Sequence, residues 1–203
     1  MVVFMRISNL VLTSILAMTI LMQTEAVIPA HAQSGDVDYK WLLTYKGKST
    51  NQVRWDPRFP SLLKSGLPDY RVQWWENSAL PDAAFTLLSG PPDMVMIESN
   101  RYVTLSAAVA HDAQSKGLLW IDIEASHPEM IFCYLDQDPV HLHEFSITLY
   151  TKQSQLIAKL PPQFLAAFSA WQSNHGVTKI TGFTIVDAKG EISHPPLAFL
   201  GSN

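Results

Sequence analysis

The sequence has 203 residues, a formal net charge of −4, a single cysteine and 47% hydrophobic residues. The acidic balance argues against a nucleic-acid-binding protein, because the phosphates of nucleic acids select basic surfaces. The lone Cys133 excludes an internal disulfide, so packing must stabilise the fold, and the chain has six Trp, nine Phe and six Tyr for this purpose.

The N-terminus has the pattern of a cleavable export signal. Arg6 provides a positive charge near its start, and residues 7–22 form an uncharged, mostly apolar run. Ala30 and Ala32 then occupy the −3 and −1 positions of a cleavage site. The apolar run is shorter than the roughly 20 residues that a membrane-spanning helix needs. We therefore expect cleavage near Ala32 and no stable membrane insertion.

Cleavage at this site defines the expected domain organisation. Residues 1–32 are the signal peptide, and residues 33–203 are long enough for a single α+β domain with a substantial core. Arg6 and Glu25 cancel within the signal, so the mature chain keeps a net charge of −4. The expected location is periplasmic or secreted.

In chain order, the first part of the mature chain predicts two short strands and two short helices. The strands are expected at residues 39–45 and 70–76. One helix is expected at residues 60–65, with Gly66 as its C-cap glycine. The other is expected at residues 81–88, with a proline near its start.

The middle of the chain predicts an antiparallel hairpin. Residues 102–110 alternate between apolar and polar side chains, and residues 118–124 return as the second strand. The polar residues 111–116 are the expected loop between them. Further strands are expected at residues 131–135 and 143–151, which are short apolar or alternating runs.

The C-terminal part predicts one long helix and a second hairpin. The helix is expected to begin at Pro161 and end at Gly176, with an aromatic stripe at helical spacing that packs on the sheet. Residues 177–186 and 191–194 are the expected strands of the final hairpin. The elements together predict the α+β class, with an antiparallel sheet packed on one face by a few helices.

A pair of histidines is the first candidate for chemistry. His141 and His143 are two residues apart, so in a strand both imidazoles would point to one face and approach one metal ion. Phe145 and Leu149 continue that face as core, and no third ligand is identifiable. The simpler interpretation is that both histidines lie at the rim of a strand without binding a metal. A metal-handling protein that uses His141 and His143 remains an alternative function.

The sequence contains no motif of the common enzyme classes. There is no G-x-S-x-G, no H-E-x-x-H, no phosphate-binding glycine loop and no dinucleotide fingerprint. Cys133 lies in the apolar run 131–135, which predicts a buried, inert thiol rather than a nucleophile. We therefore predict a protein that is not an enzyme and needs no cofactor.

Aromatic side chains suggest another type of binding. Trp55, Trp74 and Trp75, where exposed, would stack on a sugar ring, although core packing is the commoner role for tryptophan. A periplasmic binding module for a glycan or a protein ligand is therefore a further alternative.

The tip of the central hairpin is the second candidate site. A histidine beside an aspartate on an exposed tip has two possible roles. In the commoner one the two side chains are simply solvated; in the other the histidine enters the cleft of a partner protein and pairs with carboxylates there. The tip consists of Ala108, Val109, Ala110, His111, Asp112 and Ala113.

This stretch resembles the vertebrate-lysozyme inhibitor family, often called Ivy. The family carries S-A-C-K-P-H-D-C at a hairpin tip, a few residues after a tyrosine, and here Tyr102, Ser106-Ala107 and His111-Asp112 match that pattern. Upstream, the order of a helix, Leu67-Pro68 and an aromatic strand at residues 70–75 is also similar. The resemblance covers about residues 59–124.

The resemblance implies a function as well as a fold. Members of the family are periplasmic proteins that block C-type lysozyme by inserting the loop histidine, here His111, between the two catalytic carboxylates. C-type lysozyme or a lytic transglycosylase is thus the expected partner. Since the family includes dimers, the resemblance is also compatible with a homodimer.

The tip departs from the family pattern in a way that affects binding. Ala108 and Ala113 replace the two loop cysteines, while Val109 and Ala110 replace Lys and Pro. Without the bridge the tip must become ordered on binding, which is expected to cost about 1–3 kcal/mol of affinity.

Overall fold

A computed structural model describes most of the chain after the predicted signal. The described residues are 38–109, 112–124, 128–153, 156 and 158–200, with the backbone alone at 112 and 113. The predicted signal peptide, residues 1–32, lies outside them. Within the described part, none of the helices has the length and apolar character needed to cross a membrane.

The N-terminal part consists of short helices and one small hairpin. Strands β1 and β2 pair with each other and form a separate two-stranded sheet. The elements are a 3-10 helix at Tyr39–Tyr45, α1 at Thr50–Arg54, α2 at Phe59–Gly66, β1 at Arg71–Val72, a 3-10 helix at Gln73–Trp75, β2 at Ser78–Ala79 and α3 at Leu80–Leu87.

A larger sheet follows, with seven strands in the described part and the order β3-β4-β5-β6-β7-β8-β9. Every neighbouring pair is antiparallel except β7 and β8, which are parallel because α4 crosses over between them. The elements are β3 at Met96–Glu98, β4 at Tyr102–Val109, β5 at Asp112–Asp122, β6 at Glu129–Gln137, β7 at Glu144–Tyr150, α4 at Pro162–Asn174, β8 at Lys179–Val186, β9 at Ile192–Ser193 and a 3-10 helix at Leu197–Leu200.

The predicted α+β class is confirmed, but helices cover both faces of the sheet rather than one. Residues of α2 and α3 pack with Phe132 on the first face. The aromatic stripe of α4 packs with Ile131 and Cys133 on the second face. Strand β6 explains the difference, because all its residues from 130 to 135 are buried and a strand that is apolar on both sides needs cover on both sides.

The long helix and both hairpins lie where the sequence predicted them. In α4, Phe164, Phe168 and Trp171 are buried against the sheet. Gly176 follows the helix with φ of 66°, and Gly190 in the β8–β9 turn has φ of 78°, so both adopt the left-handed conformation that glycine favours.

The two strands predicted in the N-terminal part are largely wrong. Residues 39–45 form a 3-10 helix in which the adjacent Trp41 and Leu42 are both buried, whereas neighbouring residues of a strand point to opposite faces. Of residues 70–76 only Arg71–Val72 is extended. Glu76 and Asn77 have positive φ values of 49° and 54°, and they reverse the chain into β2.

The predicted role of Gly66 as a helix cap is also wrong. The residue is the last of α2, Leu67 follows it with an extended backbone, and Gly66 is not among the residues of positive φ. A Cβ at this position would overlap Met130 Sδ on β6. The glycine is therefore explained by the close approach of α2 to the sheet.

A second buried glycine gives a test of the packing between α3 and the sheet. In a Gly117→Ala variant the added Cβ would overlap Leu87 Cδ2 and lie 3.4 Å from Phe132 Cε2. We expect overpacking to lower the free energy of unfolding by about 1–3 kcal/mol in urea denaturation. The control is Gly182→Ala in β8, where the nearest atom is Ser146 Cβ at 3.4 Å and the expected change is within about 0.5 kcal/mol. Equal effects of the two substitutions would contradict this packing.

A buried carboxylate joins α1, α2 and the first 3-10 helix. Asp56 accepts hydrogen bonds from Arg58 Nε at 2.8 Å and Arg58 Nη2 at 2.6 Å, and from the Tyr45 hydroxyl at 2.9 Å. The hydrogen bonds from Arg58 outweigh burial and, with the bond from Tyr45, hold the pKa of Asp56 far below its ordinary value. The charged form of this carboxylate therefore stabilises the folded state.

The Asp56→Asn variant is expected to show a pH-dependent loss of stability. Because the folded pKa is lower than the unfolded value of about 3.9, the contribution is fully present above that value and is lost as the pH falls through the folded pKa. The difference in the free energy of unfolding between the parent and the variant should be constant down to about pH 5 and should narrow below about pH 4. Asp69→Asn, at an exposed position, is the control. A difference that persists undiminished at about pH 2 would refute the charge argument.

Candidate functional site

In the β4–β5 hairpin, successive side chains of β4 point to opposite faces of the sheet. Val103, Leu105 and Ala107 face the first core, whereas Tyr102 lies on the other side against the second. Tyr102 pairs with Asp122, and the pairing continues in register to Ala108 opposite Lys116. The register then shifts, and Val109 pairs with Asp112.

The structure places the predicted tip residues partly in strands. Ala108 and Val109 are half-buried at the end of β4, and Asp112 and Ala113 belong to the backbone of β5. Ala110 and His111 lie outside the described residues. The predicted loop at residues 111–116 differs from the structure in that β5 begins at Asp112, whereas residues 113–115 fall within the register shift.

Aromatic side chains support the hairpin on the side of β6. The buried Ser115 has its hydroxyl 3.2 Å from the Tyr134 hydroxyl. Tyr134 stacks on Trp74 with ring centroids 4.2 Å apart and planes within 5°, and Trp74 Nε1 donates to the Tyr150 hydroxyl at 3.0 Å. Burial raises the pKa of Tyr150 to about 12, so this hydroxyl is protonated at neutral pH. The base of the tip is therefore fixed by packed rings.

On the opposite side, a polar network joins β4 to α4 and the segment before β3. The Ser106 hydroxyl donates to Asp93 Oδ2 at 2.5 Å, and His175 Nε2 lies 2.8 Å from the same oxygen. Burial alone would raise the pKa of Asp93, but the hydrogen bonds from His175 and Ser106 outweigh it and hold the pKa below its ordinary value. The aspartate lies between the serine and the histidine, whereas in a Ser-His-Asp triad the histidine contacts the serine.

Sequence reasoning missed this network because its members are far apart in the chain. Asp93 and His175 are separated by 82 residues, and only the docking of α4 on the sheet brings them together. The sequence did place His175 at the C-terminal end of the predicted helix, and in the structure it is the residue that follows α4.

The predicted metal ligands do not lie on a strand. His141 and His143 are exposed in the turn before β7, which begins at Glu144, so the expectation of one shared strand face is wrong. His141 Nδ1 lies 3.4 Å from Asp138 Oδ1. The described ranges contain no group of three or more His, Cys, Asp or Glu that could hold a metal ion.

Cys133 and the tryptophans differ in their accessibility. Cys133 is fully buried, and this burial raises the pKa of its thiol well above the ordinary value, as expected of an inert cysteine. Trp74 and Trp75 pack partly buried against the first core, whereas Trp55 is 71% exposed. Of the three tryptophans considered for sugar stacking, Trp55 has the most open ring.

The described residues form an α+β protein, and the β4–β5 hairpin carries its candidate site. Comparison of the chain with protein-family models, with curated proteins and with solved structures finds no match.

Proposed function

We propose that this protein is a periplasmic or secreted, non-enzymatic inhibitor of C-type lysozyme or of a related peptidoglycan-cleaving lytic transglycosylase, and that it acts through the tip of the β4–β5 hairpin. The observation that supports this proposal most is the pairing of Val109 with Asp112 at the end of a hairpin whose base is fixed. Only Ala110 and His111 separate the two paired positions.

The chemistry of the tip suits the active site of a glycosidase. Lysozyme cleaves with a pair of carboxylates that flank the scissile bond. An imidazole that enters between two carboxylates makes charge-assisted hydrogen bonds to both and excludes the substrate. His111 is the residue for this role, with Asp112 beside it on β5.

Backbone pairing supports binding without a disulfide bridge. The bridge expected from the family resemblance would hold the tip in shape before binding, and its loss at Ala108 and Ala113 leaves the tip to other restraints. The pairing of Val109 with Asp112 restrains the chain on both sides of His111. It therefore reduces the number of residues that must be ordered in the complex.

Charge supports the choice of partner. The mature chain keeps a net charge of −4, which attracts a basic lysozyme and accelerates encounter at low salt. Inhibition is therefore expected to weaken as the ionic strength rises.

Lysis of peptidoglycan tests the proposal directly. The protein is exported with its own signal, purified and titrated against a C-type lysozyme and, in parallel, against a lytic transglycosylase. We expect saturable inhibition of at least one enzyme at micromolar concentration or below. Absence of inhibition of both enzymes at about 100 μM, a level at which even weak complexes form, would overturn the proposal.

A further inference from the structure

A cavity of about 310 Å³ lies between α4 and the edge of the sheet formed by β3 and β4. It is separate from the predicted hairpin tip, and its size is at the lower end of the range for small-molecule sites. It is lined by Asp93, Met94, Met96, Glu98, Tyr102, Thr104, Ser106, Trp120, Ala167, Ala170, Trp171, Asn174 and His175.

The apolar wall of the cavity combines packed aromatic rings with methionines. Tyr102 and Trp120 stack with centroids 5.6 Å apart and planes within 14°. Met94 and Met96 are 57% and 61% exposed at the rim, an unusual position for large apolar side chains. The small side chain of Ala170 on α4 leaves the space open. This wall suits a flat or aliphatic ligand body.

The lining has two carboxylates and one histidine. Asp93 and Glu98 are the carboxylates, Asp93 is paired with His175, and no Lys or Arg is among the lining residues. Within the described residues, both hydrogen bonds to the Asp93 side chain fall on Oδ2, which leaves Oδ1 as an acceptor for a ligand. The nearby guanidinium of Arg101, which lies over the Tyr102 ring, is paired with Asp122 at 2.7 Å. A cationic group therefore fits this cavity better than an anionic one.

We propose that the cavity between α4 and β3–β4 binds a small molecule with a largely apolar body and a protonated amine. The amine pairs with the carboxylates of Asp93 and Glu98. The body packs on Tyr102 and the methionines. This binding site is independent of the proposed inhibition.

Matched probes of similar shape test the chemistry. The exported protein is titrated with tyramine, with para-ethylphenol, which lacks the amine, and with para-hydroxyphenylpropanoate, which carries a carboxylate instead. Binding is followed by NMR of the six tryptophan indole N–H resonances. We expect tyramine to bind saturably and about tenfold more tightly than the other two probes. Its ammonium makes a charge-assisted hydrogen bond to the carboxylates of the cavity, whereas para-ethylphenol has no such group and the carboxylate probe is repelled.

Paired variants locate the binding. Ala170→Phe fills the cavity and should abolish the tyramine shifts, whereas Ala166→Phe, at an exposed position of the same helix outside the lining, should leave them unchanged. Glu98→Gln should weaken tyramine binding at least about threefold, and Glu191→Gln, on the β8–β9 turn, should not. If Ala170→Phe lowers the melting temperature, the comparison of Glu98→Gln with Glu191→Gln decides whether tyramine binds in this cavity.

Three results would overturn the proposal. The first is the absence of saturable binding by any probe, and the second is equal affinity for tyramine and the carboxylate probe. The third is tyramine binding that Glu98→Gln leaves unchanged in a folded protein. None of these results bears on lysozyme inhibition, so the two proposals fail separately.

Discussion

A His111→Ala variant is expected to raise the concentration needed for half-inhibition of lysozyme by about 30- to 1000-fold, which corresponds to about 2–4 kcal/mol for the loss of an interface hot spot. The imidazole is the one group of the proposed tip that can donate hydrogen bonds to both carboxylates of the enzyme. The melting temperature should stay nearly unchanged, because Val109 and Asp112 keep their backbone pairing. The measurement is the same lysis assay together with thermal unfolding.

Histidines elsewhere on the surface provide the control. His143 is exposed in the turn before β7, and a His143→Ala variant should inhibit as well as the parent. If His111→Ala inhibits with parental potency, the tip is not the inhibitory element. If both variants lose potency equally, a general loss of histidine charge rather than a specific contact is responsible.

The second large effect is expected for Trp120→Ala, on protein stability. Trp120 is fully buried on β5, where it stacks with Tyr102 and meets the edge of the Phe164 ring on α4 at a centroid distance of 6.1 Å. Since its indole nitrogen makes no hydrogen bond in the described part of the chain, the loss arises from packing. We expect the free energy of unfolding to fall by about 3–5 kcal/mol in urea denaturation.

The matched substitution lies on the surface. Trp55 is 71% exposed, so Trp55→Ala removes the same side chain with an expected change within about 0.5 kcal/mol. A Trp120→Ala protein as stable as the Trp55→Ala protein would mean that α4 does not depend on this contact with the sheet.

The sequence predicted the elements whose local signals agree with their packing. In α4 the opening prolines, the aromatic stripe and Gly176 all indicate the same helix, and the stripe is buried as its spacing requires. The β4–β5 hairpin was predicted for a similar reason, because alternation along β4 matches a strand with one core on each side.

The elements that were predicted wrongly depend on contacts that no local pattern contains. The residue types of Tyr39–Tyr45 favour a strand, but this segment is a 3-10 helix. Its conformation is determined by the burial of both Trp41 and Leu42 against the first core. Gly66 resembles a cap by position, and its actual neighbour, Met130, is on a strand far along the chain. Cover on both faces of the sheet is the exception, because the unbroken apolar run 131–135 already fits a strand that is buried on both sides.

For the candidate site, the sequence indicated the tip but not its support. Residue matches around Ser106 and His111 placed the tip on a hairpin, whereas the stacking of Trp74 on Tyr134 joins segments 60 residues apart and has no local signal. The same holds for the contact of Asp93 with His175. Tertiary packing alone brings these residues together, so a single sequence could not predict them.

Competition for the cleft of lysozyme tests the central proposal most directly. A short chitin oligosaccharide that occupies the cleft is titrated into a mixture of lysozyme and the purified protein, and the lysozyme–protein complex is measured by fluorescence anisotropy. If the hairpin tip inserts between the catalytic carboxylates, the oligosaccharide and the protein exclude each other, and the apparent Kd for the protein rises linearly with oligosaccharide concentration from its value without competitor. Binding of both at once, or failure of the protein to bind free lysozyme, would contradict the account.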